Sequence, residues 1–86
     1  MHEVTFLAEA LSAIRRLGYE IREECVGGNG GGICVLHGQK FFFLDPSLDL
    51  ADQLDLACDA LRNDVGVYSL VMPDRLREAL GIRRSA

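Results

Sequence analysis

Ile33-Cys34-Val35-Leu36-His37-Gly38-Gln39-Lys40-Phe41-Phe42-Phe43-Leu44 is the stretch on which the fold of this chain turns. Two short runs of β-branched, aliphatic and aromatic residues flank a tight reversal, and Gly38 followed by Gln39 at its centre predicts a type II′ hairpin. That turn sets Leu36 opposite Phe41 and Cys34 opposite Phe43. Side chains alternate along a strand, so Ile33, Val35, Phe42 and Leu44 share one face and Cys34, Leu36, Phe41 and Phe43 the other. Both faces are apolar, and an apolar face needs cover.

Upstream, Gly27-Gly28-Asn29-Gly30-Gly31-Gly32 supplies turn residues, with Asn29-Gly30 a type I′ hairpin signal. Tyr19, Ile21 and Cys25 alternate with Glu20, Arg22 and Glu24 ahead of it, the pattern of a half-buried strand. The expectation is a three-stranded antiparallel meander. Its first face carries Tyr19, Ile21, Cys25, Cys34, Leu36, Phe41 and Phe43, and its second carries Val26, Ile33, Val35, Phe42 and Leu44. A helix of the same chain or another chain must cover that second face, and Ile33, Val35, Phe42 and Leu44 are the expected interaction surface.

Helical periodicity flanks the strands. Val4, Leu7, Leu11 and Ile14, widened by Phe6, Ala10 and Leu17, form one stripe, with Arg15 and Arg16 in the last turn and Gly18 as the stop. After Leu44, either Asp45 ahead of Pro46 or Ser47 caps a second helix whose stripe is Leu50, Leu54, Ala57, Cys58 and Leu61, ending near Arg62. Val65 to Val71 reads as a short extended segment. Pro73 opens a last helix with Leu76 and Leu80 inward, and Gly81 closes it.

With 86 residues the chain is expected to form a single domain spanning 1–86, with one core and a thin stability margin that self-association would relieve. An apolar content of 49% excludes a disordered class. The formal charge of −4, with basic pairs only at Arg15-Arg16 and Arg83-Arg84, argues against nucleic acid. No apolar run reaches the length of a membrane span, and Met1-His2-Glu3 does not open like a signal peptide. Three cysteines at spacings that match no disulfide or zinc pattern suit the reducing cytoplasm.

Chemistry-bearing residues are few. The glycine stretch joins two strands and lacks the Lys-Ser or Lys-Thr and helix of a phosphate loop. Cys25 and Cys34, with His37 or Cys58, are weak candidates for a soft metal site, against the simpler reading of buried thiols. Asp45, Asp49, Asp52, Asp55 and Asp59 read as caps and a solvated helix face. No catalytic set and no cofactor is expected.

The order helix, three strands, then a helix after Phe41-Phe42-Phe43-Leu44-Asp45 resembles the front half of the zinc-peptidase domain of the ImmA/IrrE type. The likeness runs through Gln53-Leu54-Asp55-Leu56-Ala57, about a quarter of the chain. That family would carry His-Glu-x-x-His where this sequence reads Cys58-Asp59-Ala60-Leu61-Arg62, so the resemblance implies no metal ligands and no peptidase activity. The whole chain also resembles short bacterial proteins, its single lysine among nine basic residues suiting a GC-rich genome.

The sequence thus predicts an α+β domain in the order α-β-β-β-α-(short extended)-α. The expected function is that of a noncatalytic interaction or scaffold protein pairing with itself or with another protein. A metal- or ligand-binding module using Cys25, Cys34 and Cys58 or His37 is the alternative, and a degenerate hydrolase-like domain the second.

Overall fold

Phe42 lies at the centre of the molecule with 0% of its surface exposed, and the elements arrange themselves around its strand. The computed structural model describes residues 2–24 and 31–82. Along the chain run α1 (His2–Arg16), β1 (Glu20–Glu23), β2 (Gly31–Leu36), β3 (Gln39–Leu44) and α2 (Leu50–Arg62). A 3-10 helix (Val65–Ser69) and α3 (Asp74–Leu80) complete it. The class is α+β, as expected.

The sheet is mixed, which corrects the meander. Its order is β1-β3-β2, with β1 parallel to β3 and β2 antiparallel to it. The expected hairpin turn at Asn29-Gly30 lies outside the described residues, as do Cys25 and Val26, and β1 pairs with β3 instead of β2. The physical reason is that β3 carries the bulkiest apolar run, Phe41-Phe42-Phe43-Leu44. In the middle position both of its edges are hydrogen-bonded, and the polar Glu20-Ile21-Arg22-Glu23 is left to close one side.

This pairing reassigns β1. Ile21 lies beside Phe42, and Glu20 and Arg22 beside Phe41 and Phe43, so Tyr19 and Ile21 share the face of Phe42 and Leu44. The turn also differs by one residue: His37 (φ 52°) and Gly38 (φ 79°) are its central pair, giving type I′ geometry with Leu36 opposite Gln39 and Cys34 opposite Phe41. Moving the turn centre by one residue shifts the pairing by two. The faces of β2 and β3 therefore stay as expected.

The helices all pack on the Phe42 side. Leu7, Ala10, Ala13 and Ile14 of α1 and Ala57, Cys58, Ala60 and Leu61 of α2 enclose Phe42 and Leu44, and Leu76 and Leu80 of α3 join the same core. Val4, expected in the stripe of α1, is exposed, and the small Ala13 lets α1 approach closely instead. One helix layer on one sheet makes a molecule only 16 Å deep along its shortest axis.

Local chemistry sets the ends. Asp49 caps α2 by accepting from the N–H of Asp52, whereas Asp45 is buried and folds back onto Ser47, accepting from its N–H and Oγ–H. Of the residues read as caps, Asp49 takes the position, and Asp45 and Ser47 are instead engaged with each other in this Asx turn. Asp64 caps the 3-10 helix through the N–H of Gly66, which replaces the expected extended segment. Gly18 (φ 98°) and Gly81 (φ 73°) follow α1 and α3 in the left-handed conformation expected of them.

Because Phe42 is fully buried beneath the single helix layer, truncating it leaves a cavity in the core. Phe42→Ala is expected to lower unfolding free energy by about 3–5 kcal/mol, measured by denaturant titration. A loss below about 1 kcal/mol would show that the ring is not in the core.

Candidate functional site

A groove of about 360 Å³ lies between the C-terminal half of α2 and β2, lined by Tyr19, Gly32, Ile33, Leu56, Asp59, Ala60 and Asn63. Tyr19 is held there by a polar knot. Its hydroxyl donates to Asp64 Oδ2 at 2.8 Å, and Lys40 Nζ donates to the same oxygen at 3.4 Å and to the Leu17 carbonyl at 2.9 Å. The Lys40 ammonium stands 4.4 Å from the centroid of the Tyr19 ring, a cation–π contact. The knot ties the end of α1, the first turn of β3 and the loop after α2 together.

The knot fits tightly. A Cβ added to Gly66 would meet Leu17 Cδ2 at 2.9 Å. Burial, together with the bond to Asp64, pushes the Tyr19 phenol up from 10.0 to about 12. Asp64 moves the opposite way, its carboxylate stabilised first by the Gly66 N–H and then by the Tyr19 hydroxyl. A neutral phenol already engaged by a carboxylate is a structural fastener, not a proton donor free for chemistry.

Beside the groove runs the outer edge of β2. A two-residue type I′ loop closes on a hydrogen-bonded pair, so the N–H and C=O groups of Leu36, Cys34 and Gly32 face β3. Those of Val35, Ile33 and Gly31 face outward. Val35 is 59% exposed, Leu36 50% and Ile33 40%. Gly31-Gly32-Ile33-Cys34-Val35-Leu36 contains no charge and no proline, whereas the opposite edge strand carries Glu20, Arg22 and Glu23.

The expected interaction surface is divided by the structure. Phe42 and Leu44 belong to the core under the helices of the same chain, so they do not form a partner face, while Ile33 and Val35 remain exposed at the edge. The split reflects the positions of the strands: the helices cover the central strand fully and the edge strand only in part. The metal candidates are also separated. Cys58 is buried among the helices, and burial raises its thiol pKa, whereas Cys34 lies beside Phe41 on the opposite face of the sheet. His37 is exposed in the turn, Cys25 lies outside the described residues, and among the described residues no three metal-ligating side chains converge.

The face of the sheet away from the helices carries Cys34, Leu36, Phe41 and Phe43 of the expected first face, without Tyr19 and Ile21. Phe41 and Phe43 stack there with centroids 5.9 Å apart, and the Arg22 guanidinium lies 5.5 Å from the Phe41 ring while pairing with Glu20 at 2.6 Å. The charged alternation of β1 was the available signal, since Glu20 and Arg22 mark the wet side of whichever strand they join. No family model, curated protein or solved structure matches the chain.

Linkage gives the knot a pH signature. The phenol keeps its proton in the fold to about pH 12, against 10.0 as its ordinary value, so its contribution is fully present below pH 10.0 and is lost as pH rises through about 12. Denaturation measured between these limits is expected to show a smaller fall in stability for Tyr19→Phe than for the wild type. Equal slopes would mean that the hydroxyl is not engaged.

Proposed function

We propose that this chain is a noncatalytic interaction protein whose docking element is the outer edge of β2, and that it pairs with a second copy of itself. One observation carries the reading: an uncharged edge strand with outward N–H and C=O groups and exposed Ile33, Val35 and Leu36. Such an edge is a template for strand addition unless charge, proline or a bulge blocks it. The groove supports the same reading, because it lies on the helix side of Ile33, where side chains of an added strand would enter.

The reducing cytoplasm suits this reading, since Cys34 and Cys58 are both free thiols. A ligand-binding role is the second reading, favoured by the groove alone, with Tyr19 as floor and Asp59 and Asn63 as polar rim. On this reading the chain shares the element order of the front half of an ImmA/IrrE-type domain without sharing its chemistry.

Light scattering over a range of concentrations tests the interaction role. Val35→Glu is the informative variant, because Val35 lies opposite Lys40 and the new carboxylate faces an ammonium within the chain while charging the edge. The wild type is expected to approach twice the monomer mass as concentration rises. Val35→Glu is expected to stay folded and weaken association by at least roughly tenfold, equivalent to about 1.4 kcal/mol. A wild type that remains monomeric at every concentration would overturn self-pairing.

A further inference from the structure

We infer that the groove between α2 and β2 takes a small organic ammonium ion, a primary amine carried on an apolar body. This rests on the ligand-binding reading above, to which it adds the chemical class of the ligand, and it does not depend on self-pairing. Leu56, Asp59, Ala60 and Asn63 follow one another at the i, i+3, i+4 and i+7 spacing of a single helix face, so α2 turns two apolar and two polar side chains toward the same groove. Leu56 and Ala60, with Ile33 across from them and the Tyr19 ring as floor, make the interior apolar. A volume of about 360 Å³ stands at the small end of the roughly 300–1,000 Å³ of small-molecule sites. The ligand is correspondingly small.

Charge selects a cation. Among the described residues Asp59 is the one lining side chain ionised at neutral pH, because Tyr19, the other that titrates, keeps its proton to about pH 12. The Asp59 carboxylate is poorly satisfied within the chain. Its ion pair with Arg62 is 3.9 Å long, beyond hydrogen-bond length, and joins side chains that are 69% and 45% exposed. A ligand ammonium can take that place at little cost.

Hydrogen bonding selects a donor. Asn63 ties its amide nitrogen to the Asp59 backbone carbonyl at 2.8 Å, which leaves its Oδ1 to accept beside the carboxylate. The Tyr19 hydroxyl has given its proton to Asp64, and the Lys40 ammonium behind it is spent on Asp64 and the Leu17 carbonyl. A primary ammonium answers this rim with the opposite charge and three N–H donors. A carboxylate or phosphate ligand would face Asp59 on a chain of net −4, and a neutral one would cover the carboxylate without answering its charge.

The probe is phenethylammonium, titrated into the full chain and followed by residue-resolved amide NMR, beside phenethyl alcohol and phenylacetate as its neutral and anionic counterparts. The ammonium is expected to shift the amides of Gly32, Ile33, Asp59 and Asn63 saturably, in the millimolar range that a ligand of so few atoms reaches. Its affinity is expected to exceed that of the alcohol and the acid by at least roughly tenfold. Asp59→Asn, at an exposed helical position, is expected to stay folded in the same spectra and to weaken binding at least roughly fivefold, whereas Glu78→Gln, an equal loss of charge on α3, leaves it unchanged. Equal weakening by the two variants would overturn the role of Asp59. An alcohol or acid bound at the same amides as tightly as the ammonium would overturn the ligand class and leave the groove a binding site. No saturable shift at those amides with any of the three would overturn the ligand class and the ligand-binding reading together.

Discussion

Phe42 imposes the constraint on which the rest of the structure depends: a large ring in the middle of the strand with the bulkiest apolar run must be enclosed, and the helices of the described residues enclose that one face of the sheet. With Phe42 and Leu44 directed into α1 and α2, the alternation of β3 directs Phe41 and Phe43 outward, and the parity of β2 follows from the turn. Ile21 then completes the buried row from the parallel strand. Each later feature, from the wet side of β1 to the half-covered Ile33, is a consequence of that choice of face.

The two sheet edges show how differently the same problem can be met. On the β1 side, Glu20, Arg22 and Glu23 bring charge to the edge, and the pairing of Arg22 with Glu20 and its contact with Phe41 keep a charged side chain over the aromatic stack. Among the described residues the β2 side has none of these devices. Among the described residues nothing charged guards this edge, which is the ground for the proposed docking role, and the groove under α2 gives an incoming strand a place for its side chains.

Much of the architecture was legible in the sequence. The three α-helices, the β2–β3 hairpin, the stripe of α2 and the left-handed Gly18 and Gly81 follow from period, capping and glycine placement, each determined within a few residues. The failures were non-local. Asn29-Gly30 argued for a hairpin from β1 to β2, but adjacent strands in sequence need not be neighbours when a more apolar strand competes for the middle of the sheet. Parity within β2 and β3 survived the misplaced turn, whereas parity of β1 relative to them did not. For the same reason the candidate surface is divided: Ile33 and Val35 are exposed at the edge, and Phe42 and Leu44, identical to them in pattern, are core because their strand is central. The knot of Tyr19, Lys40 and Asp64 joins residues up to 45 positions apart, as the Tyr19–Asp64 bond does, and no local pattern announces it.

The central claim is that β2 keeps one row of backbone groups bonded within the chain and offers the other to a second copy. Residue-resolved amide exchange at high and low protein concentration reads the two rows separately. The N–H groups of Cys34 and Leu36 are expected to stay protected at both concentrations, while those of Ile33 and Val35 are protected only when the protein is concentrated. Rapid exchange of Ile33 and Val35 irrespective of concentration, or their protection at all dilutions, would contradict it.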